Sequence, residues 1–413
     1  MERSSQGGIA TFTWGVRTAN TLPTGFAASV APSGQAIVAT GAGTVSFPLA
    51  VSRRLLSLTD WLPPDFGAVG QYALLEARRR AAAGDDVTLI GITSGRAEVK
   101  DEAVGAGRLR VVRIRRPAYD RGRFLRRALW TVRTNTALIW AARRAVRGAD
   151  EVTFAGSPPY LVHWLVPLNL LWRRPLTYRI SDFHPECLIA ELGRTPLPLA
   201  LLLAWTRRLR RRIHRFEVLG EDQKRRLIES GVPAAKIAVE PHASPVEIGP
   251  ETRPLPIPEA LAGHKVLLYS GNLGVAHDET TLIEGMRLHH AEGGGRVGLW
   301  LNATGAKADR LERRLRELDL PVHRSEPVPL DDLGRLLVTP DAHLITLRDA
   351  FVGYVLPSKV WGCLASGRPI VFVGSAASDV HGLCSAALPA AAYRRVDVGD
   401  AAALALTLRE IAA

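Results

Sequence analysis

Short apolar runs recur along the first half of the chain, and most of them end in a glycine or a hydroxyl residue. They cover Leu55–Thr59, Asp86–Thr93, Arg108–Ile114, Glu151–Gly156, Pro175–Ser181 and Phe216–Gly220. A helical pattern from Gln71 to Ala83 lies between the first two runs and stops at Gly84. Strand, glycine loop, helix and strand in this order form a βαβ unit, which requires a parallel sheet. The pattern therefore predicts an α/β domain.

A proline-rich stretch, Pro241–Leu261, interrupts this rhythm, as linkers between domains do. The alternation of strands and helices then resumes. The predicted strands are Lys265–Gly271, Val297–Gly305, Asp341–Leu347 and Pro369–Gly374, and the predicted helices are Glu279–Glu292 and one within Leu356–Gly367. We predict two Rossmann-like parallel-sheet domains that face a central cleft, with the active site at the carboxyl ends of the strands.

The limits of these domains follow from composition. Residues 1–52 are rich in glycine, alanine, serine and threonine and carry few charges, which predicts a weakly structured leader. The predicted N-terminal domain covers residues 53–245, and the linker covers residues 246–262. The predicted C-terminal domain covers residues 263–390, and a last helix occupies residues 391–413.

The charge balance indicates an anionic partner. The 413 residues contain 53 lysines and arginines against 40 acids, a formal charge of +13. Nucleic acid, a lipid surface and phosphate substrates all fit such an excess, as does an arginine-rich surface without a partner. Cys187, Cys363 and Cys384 have no metal or disulfide spacing, which fits a reducing compartment. Without a spanning run or a signal-peptide pattern, we expect a cytoplasmic protein.

Two glycine loops follow predicted strands, where backbone N–H groups and a helix N-terminus favour anions. The first loop contains Gly67 and Gly70 and is an acceptor or phosphate candidate, although the same spacing is typical of a plain tight turn. The second loop is a donor candidate, and the alternative is a βα turn with a capping asparagine. Its candidate residues are Gly271, Asn272, Gly274 and His277.

A third site surrounds a short predicted helix. Pro357 and Ser358 are helix-start residues, and Gly367 stops the helix after about two turns. The positive end of this helix would face the cleft, and Lys359 beside it suits a diphosphate. Arg348 could add a second cation.

A polar motif follows the strand Pro175–Ser181. Asp182, His184 and Glu186 are catalytic candidates, because a carboxylate or imidazole near the cleft can orient a hydroxyl or take its proton. The alternative is a capped loop with solvated charges. The chain contains no D-x-D pair, so we expect no metal and no cofactor, and a leaving diphosphate would meet helix dipoles, Lys359 and Arg348.

Several of these strings resemble the retaining glycosyltransferases of family 4, in the branch that builds colanic acid, O-antigen and exopolysaccharides. They are WLPPDFGAVGQYA, YRISDFHPE, YSGNLGVAHD, HLITLRDAFVGYVLPSK and KVWGCLASGRPIVFVG. The resemblance implies the GT-B fold, with an acceptor in the N-terminal domain and a nucleotide-sugar in the C-terminal domain; UDP is the expected nucleotide, and GDP and other nucleotides stay open. It also implies hexosyl or aminohexosyl transfer to a polyprenyl-diphosphate-linked acceptor in cell-surface polysaccharide synthesis. Two glutamates of the wider family are absent, since one would fall at Gly362 and the other near residues 352–354.

An apolar segment, Leu197–Trp205, runs directly into the arginine cluster Arg207–Arg215. It is too short to span a bilayer but could lie in the interface, with arginines on anionic headgroups. The candidates for this contact are Leu201, Trp205, Arg207, Arg208 and Arg211, and we treat residues 207, 208, 210, 211 and 212 as one exposed basic face. A second basic cluster is Arg108–Arg127. The alternative is a buried core helix with a solvated charged end.

The sequence thus predicts a peripheral glycosyltransferase on the inner face of the cell membrane, with a nucleotide-sugar donor and a lipid-linked acceptor. Two alternatives stay open: a nucleotide-sugar epimerase of similar fold, and a catalytically silent subunit that binds nucleotide-sugar. Nucleic acid is not an expected partner, because the arginine runs lack interleaved aromatic residues or a docking motif.

Overall fold

A computed structural model describes residues 52–65, 67–117, 124–291 and 295–413, together with three strands nearer the N-terminus. These strands are β1 (Ala27–Val30), β2 (Gln35–Thr40) and β3 (Gly43–Pro48), and they form an antiparallel sheet in the order β1-β2-β3. The sequence analysis did not predict them. The chain divides into a unit of residues 1–51 and a unit of residues 52–413. The rest of the predicted leader lies outside the described residues.

The first half of the second unit is built on an eight-stranded sheet in the order β11-β10-β9-β8-β4-β5-β7-β6. All neighbours are parallel except β6 and β7. The strands are β4 (Arg54–Trp61), β5 (Asp86–Thr93), β6 (Glu98–Val104), β7 (Gly107–Arg115), β8 (Glu151–Ala155), β9 (Leu176–Ile180), β10 (Arg215–Val218) and β11 (Ile237–Val239). The helices are α1 (Ala68–Ala82), α2 (Phe124–Ala142), α3 (Ala145–Gly148), α4 (Val162–Trp172), α5 (Glu186–Leu192), α6 (Leu197–Arg210) and α7 (Glu221–Glu229). We call this part the N-terminal lobe.

The second half, the C-terminal lobe, has a six-stranded parallel sheet in the order β14-β13-β12-β15-β16-β17. Its strands are β12 (Lys265–Ser270), β13 (Val297–Asn302), β14 (Val322–Ser325), β15 (Ala342–Thr346), β16 (Ile370–Val373) and β17 (Tyr393–Val396). Its helices are α8 (Thr280–Ala291), α9 (Ala306–Glu317), α10 (Leu330–Leu337), α11 (Lys359–Ala365), α12 (Asp379–Ala387) and α13 (Ala401–Ala412). This strand order is that of a Rossmann fold.

Alternation along the strands places a hydrophobic core on each face of the N-terminal sheet. On β5, Val87 and Leu89 pack with the alanine stripe of α1, whereas Ile90 and Ile92 pack with α2, α4 and α6. The alanines of α1 let the helix approach the sheet closely. Both faces of the sheet are covered, as a parallel sheet requires.

Each predicted strand is present, and α1 begins three residues before the predicted Gln71. The linker predicted at residues 246–262 falls between β11 and β12. The exact domain limits stay predictions. Among the described residues, no helix is both long and apolar enough to cross a bilayer.

Candidate functional site

The two lobes touch where strands of both sheets end. Asp182, just after β9, forms an isolated antiparallel bridge with Val355 of the C-terminal lobe. The Phe183 N–H donates to the Tyr354 carbonyl over 3.0 Å. The polar motif of the N-terminal lobe therefore lies against the loop that leads into α11. In α/β folds, ligands bind at the carboxyl ends of the strands, so this junction is the candidate site.

Lys359 is the first residue of α11, and its ammonium nitrogen is buried without a hydrogen-bond partner among the described residues. The nitrogen lies 3.1 Å from the centroid of the Tyr269 ring, a cation–π contact. It also lies 3.8 Å from the Cβ position of Gly271. Burial lowers the pKa of Lys359 to about 7. An unpaired cation beneath a glycine loop has the electrostatics of a site built for an anion.

The glycine loop after β12 is shaped by backbone requirements and by hydrogen bonds. Gly271 has φ +117°, a conformation that favours glycine. The Tyr269 hydroxyl donates to the Asn272 carbonyl over 3.0 Å, and a Cβ on Gly274 would lie 3.2 Å from the Asn272 amide nitrogen. The loop is therefore held in one conformation directly above Lys359.

His277 lies at the end of this loop. Its Nδ1 lies 2.6 Å from the Thr346 carbonyl, to which it donates. Burial, together with the nearby charge of Lys359, lowers the His277 pKa to about 3, so the ring is neutral at pH 7. Arg348 follows β15 and holds the same loop, since its N–H donates to the Ala276 carbonyl over 2.8 Å. Gly271 and His277 thus lie near Lys359, and Arg348 contacts the same loop at Val275 and Ala276.

The third predicted motif also lies here. Ser358 is the N-cap of α11 without a side-chain hydrogen bond, and Pro357 before it is buried. The helix is only seven residues long, and Gly367 follows it with φ +66°. The helix of about two turns is therefore present where the sequence predicted it, and the role of its N-terminus in donor binding stays a prediction.

The N-terminal lobe contributes carboxylates to the same junction. Burial raises the pKa of Asp182 to about 6. The sequence analysis missed a second acid, Asp60, at the carboxyl end of β4, where burial raises the pKa to about 7 and the charge of Asp182 adds to the rise. Ser157, after β8, lies close enough to Asp60 to oppose that rise. The sequence signal that could have revealed Asp60 is an acid within the apolar strand LLSLTDW.

His184 faces an aromatic residue with an unusual backbone. Tyr160 has φ +70°, which is uncommon for a residue other than glycine, and its ring centroid lies 5.6 Å from that of His184. Burial lowers the pKa of His184 to about 4, so it is neutral at pH 7. In this motif, Asp182 therefore titrates near pH 6, and His184 is neutral at pH 7.

Glu186 differs from the expectation of a cleft acid. Both of its carboxylate oxygens accept hydrogen bonds from Arg210, one of them over 3.1 Å, and both side chains are almost fully buried. Arg210 also donates to the His184 carbonyl over 3.2 Å. Glu186 therefore anchors its loop to α6 and is not a free base. The interpretation of residues 207–212 as one exposed face is likewise wrong for Arg210.

The first glycine loop has a packing explanation. A Cβ on Gly70 would lie 1.9 Å from the Trp61 carbonyl oxygen, and one on Gly67 would lie 3.1 Å from the Trp61 Cβ. Position 70 therefore needs glycine, and position 67 is tightly packed, because α1 starts against the end of β4. The role of this loop in binding acceptor or phosphate stays a prediction.

The predicted membrane segment forms α6, with one exposed and one buried face. Leu197, Leu201 and Trp205 are 72%, 63% and 48% exposed. Arg207, Arg208 and Arg211 are exposed as well, while Thr206 and Leu209 are buried. The helix is thus not an ordinary buried one. The second basic cluster is partly neutralised, because Arg110 and Arg113 pair with Asp101 and Glu98 of β6, and residues 118–123 lie outside those described.

Within the described ranges, no three His, Cys, Asp or Glu side chains gather as a metal site would require. The three cysteines are free and buried.

Comparison with known proteins relates the fold to solved structures. No protein-family model and no curated protein sequence matches the chain. HepE from Anabaena, in complex with UDP and glucose, is 13% identical with a TM-score of 0.58, over 86% of this chain and 89% of that chain. A UDP-forming α,α-trehalose-phosphate synthase from Burkholderia vietnamiensis is 13% identical with a TM-score of 0.57, over 87% and 91%. WaaG, a glycosyltransferase involved in lipopolysaccharide biosynthesis, is 14% identical with a TM-score of 0.56, over 87% and 90%.

Identities this low establish the fold alone. The two parallel sheets, their interleaved helices and these neighbours together give an α/β fold of the GT-B type, as the sequence predicted.

Proposed function

We propose that this protein is a glycosyltransferase that moves a sugar from a UDP-linked donor to a lipid-linked acceptor at an anionic membrane surface. The observation that carries the proposal is Lys359, whose buried side-chain nitrogen has no hydrogen-bond partner in the described part of the chain and lies next to Gly271 and beside the lobe junction. The HepE structures contain UDP, with glucose or as UDP-glucose, which supports the same ligand class here.

The site residues suit sugar transfer in which the diphosphate leaves. Lys359 and the backbone N–H groups of the Gly271 loop would stabilise the charge on the departing diphosphate. Asp182, across the junction, would orient the acceptor hydroxyl. The bond from the anomeric carbon to the diphosphate oxygen breaks, and the acceptor oxygen bonds to that carbon. In the retaining course that the resemblance implies, attack comes from the same face and the hydroxyl proton passes to the departing diphosphate.

The test combines nucleotide binding with sugar turnover. Calorimetry with UDP and a screen of radiolabelled nucleotide-sugars with membrane extract should show binding and transfer. Lys359→Ala should weaken UDP binding by roughly 10- to 150-fold, since a charge-assisted contact contributes about 1.5–3 kcal/mol. The matched control is Lys265→Ala, at the start of the same strand that leads to the loop, where the ammonium group bonds to Asp341 over 3.2 Å.

Each result has a clear meaning. Equal UDP affinity in the Lys359→Ala and Lys265→Ala variants removes Lys359 from the diphosphate site. Interconversion of the nucleotide-sugar without transfer identifies an epimerase. Binding without any turnover identifies a silent subunit.

The membrane part of the proposal rests on a continuous surface formed by α2, α4 and α6. These helices pack side by side on one face of the N-terminal sheet. Along α2, Leu125, Leu129, Val132 and Trp140 lie at helical spacing and are 46–79% exposed. Leu170 and Leu171 at the end of α4 are 55% and 79% exposed, and Leu197, Leu201 and Trp205 continue the surface on α6.

This apolar surface is bordered by cations. Arg207, Arg208 and Arg211 follow the apolar part of α6 and are exposed, and Arg143 at the end of α2 lies 3.9 Å above the Trp140 ring. Apolar side chains rimmed by arginine suit insertion below anionic headgroups. Each arginine near such a surface contributes about 1 kcal/mol. We infer a peripheral protein on the inner face of the cell membrane.

Co-sedimentation with vesicles of phosphatidylglycerol and phosphatidylcholine tests this surface. Replacing Arg207, Arg208, Arg211 and Arg212 by Gln leaves the buried Arg210 in place and should sharply reduce binding at low salt. The matched control removes the same charge from the C-terminal lobe, by replacing Arg310, Arg313, Arg314 and Arg316 of α9 with Gln. Loss of binding in both variants would indicate a net-charge effect, and no binding by the parent would refute the membrane surface.

A further inference from the structure

A pair of aspartates, neither of them a candidate site residue, joins the two lobes. Asp222 lies in the first turn of α7, in the N-terminal lobe, and Asp379 is the first residue of α12, in the C-terminal lobe. The Asp222 N–H donates to Asp379 Oδ2 over 2.9 Å, and the Asp379 N–H donates to Asp222 Oδ2 over 3.2 Å. Each carboxylate therefore caps the N-terminus of the helix in the other lobe.

The surrounding residues make room for this close contact. A Cβ on Gly220 would lie 2.0 Å from Asp379 Oδ2, and a Cβ on Gly353 would lie 2.9 Å from the Asp222 carbonyl oxygen. Arg226 of α7 reaches across to the Val352 carbonyl over 3.2 Å and lies 4.8 Å above the Tyr354 ring. Helix α7 is thus the element through which the N-terminal lobe holds the loop before α11.

We propose that Asp222 and Asp379 form a protonation-dependent latch that holds the two lobes in the arrangement described here. Asp222 is 2% exposed, and its Oδ1 has no partner among the described residues. Two carboxylates that share a proton attract each other, whereas two ionised ones repel. The latch goes beyond the proposed function, because it concerns the lobes and not the ligand.

The sign of the pH dependence follows from burial. Burial, and next the charge of Asp379, raise the pKa of Asp222 to about 6, while a solvated aspartate titrates near 3.9. The latched form binds the proton more tightly, so acid favours it and rising pH weakens it through the range around 6. Between pH 5 and pH 7 the equilibrium between latched and open forms should change by about tenfold.

Other charged groups near the pair are engaged elsewhere. On α7, Glu221 bonds to Lys224 over 3.2 Å, and Arg226 pairs with Glu229 over 3.2 Å as well as contacting Val352. On α12, the His381 ring bonds to the Tyr393 hydroxyl over 2.9 Å. These groups supply the control variants.

Hydrogen exchange measured by mass spectrometry tests the latch in the full chain. The reporter is the Phe183 amide, which donates across the lobes but does not contact either aspartate. In the parent, its protection, corrected for the intrinsic exchange rate, should fall about tenfold from pH 5 to pH 7. Asp222→Asn keeps the shape and can donate to Asp379 as a protonated acid does, so its protection should change about tenfold less than that of the parent, because Asp182 beside the reporter titrates in both proteins alike.

The controls separate a latch from a local cap. Glu221→Gln and His381→Asn should keep the pH dependence of the parent, and Asp379→Asn should lose it as Asp222→Asn does. If protection depends on pH at the amides of residues 222 and 379 but not at Phe183, the two aspartates act only as helix caps. The same pH dependence in the parent and in both Asn variants, with circular dichroism showing folded proteins, would overturn the proposal.

Discussion

Replacing Lys359 by Met should make the free protein more stable while reducing its stabilisation by UDP. The ammonium group is buried without a hydrogen-bond partner in the described part of the chain, so the folded protein must strip water from it or release its proton. Its pKa falls from 10.5 to about 7 for this reason. A lysine with a lowered pKa opposes folding, because the unfolded chain binds a proton that the folded chain does not.

The size of this effect depends on pH in a way that can be calculated. With pKa values of 10.5 unfolded and about 7 folded, the opposing free energy is about 4 kcal/mol at pH 7.5 and about 2 kcal/mol at pH 9. These figures are upper limits for the gain from Met, since the cation–π contact with Tyr269 is lost. Stability of the parent should therefore rise between pH 7 and pH 9, and the advantage of the Met variant should shrink by roughly half.

Urea denaturation at both pH values, with and without UDP, measures the prediction. The control Lys265→Met removes an exposed lysine and should change the unfolding free energy by less than about 0.5 kcal/mol. At a UDP concentration 100 times the Kd of the parent, UDP should stabilise the parent and the control by about 2.7 kcal/mol, and Lys359→Met by roughly half of that or less. A Lys359→Met protein that is less stable than the parent at pH 7.5, or that UDP still stabilises fully, would refute the account of Lys359.

Three further predictions concern the same junction. Asp182→Asn should keep UDP affinity within about twofold but slow transfer by 100-fold or more. In the parent, turnover should fall as pH drops through about 6, where the raised pKa of Asp182 places its titration, and the Asn variant should lack this limb. Arg210→Met should lower the free energy of unfolding, measured in urea, by roughly 3–5 kcal/mol, because Glu186 is left buried and unpaired. The control Arg208→Met, at an exposed position, should lower it by less than about 0.5 kcal/mol. Equal losses in the two variants would contradict the buried pair. Excess EDTA should leave transfer largely intact, because Lys359 and backbone N–H groups would stabilise the leaving diphosphate. A full loss of transfer that Mg²⁺ or Mn²⁺ restores would show that the reaction needs a metal cation.

The strands that sequence analysis found and missed differ in their place in the sheets. The four missed strands of the two large sheets are β6, β11, β14 and β17, and each lies at a sheet edge. Edge strands bury less surface than central ones, so their sequences do not need the apolar runs that reveal a buried strand. β6, EVKDEAV, is mostly exposed and carries four charged residues. Periodicity therefore finds the centre of a parallel sheet more readily than its edges.

Residues of the candidate site could be found in the sequence where the backbone conformation favours a particular residue type. They were missed where only a tertiary contact decides what a side chain does. Gly271 and Gly367 are visible because their backbone has positive φ, a conformation that favours glycine. The burial of Arg210, in contrast, depends on Glu186, twenty-four positions away, and an arginine run alone does not show which member points inward. Asp60 was missed for the same reason, since its partner Asp182 comes from another strand.

Helix α6 connects the proposed membrane surface to the motif Asp182–Glu186 by buried hydrogen bonds. Its outer face carries Trp205, while its inner face carries Thr206, which lies 2.9 Å from His163 Nε2, and Arg210, which bonds to Glu186 and to the His184 carbonyl. A helix anchored in this way fixes the height of the motif above any surface that its outer face binds. A sugar on a lipid carrier also sits at a fixed height above the bilayer, so we expect this geometry to select acceptors by the distance of their hydroxyl from the membrane. Water-soluble acceptor analogues should then react at equal rates with and without vesicles, while lipid-linked acceptors should depend on an intact α6 surface. Vesicle-dependent turnover of the soluble analogue would show instead that the surface acts on the chemistry itself.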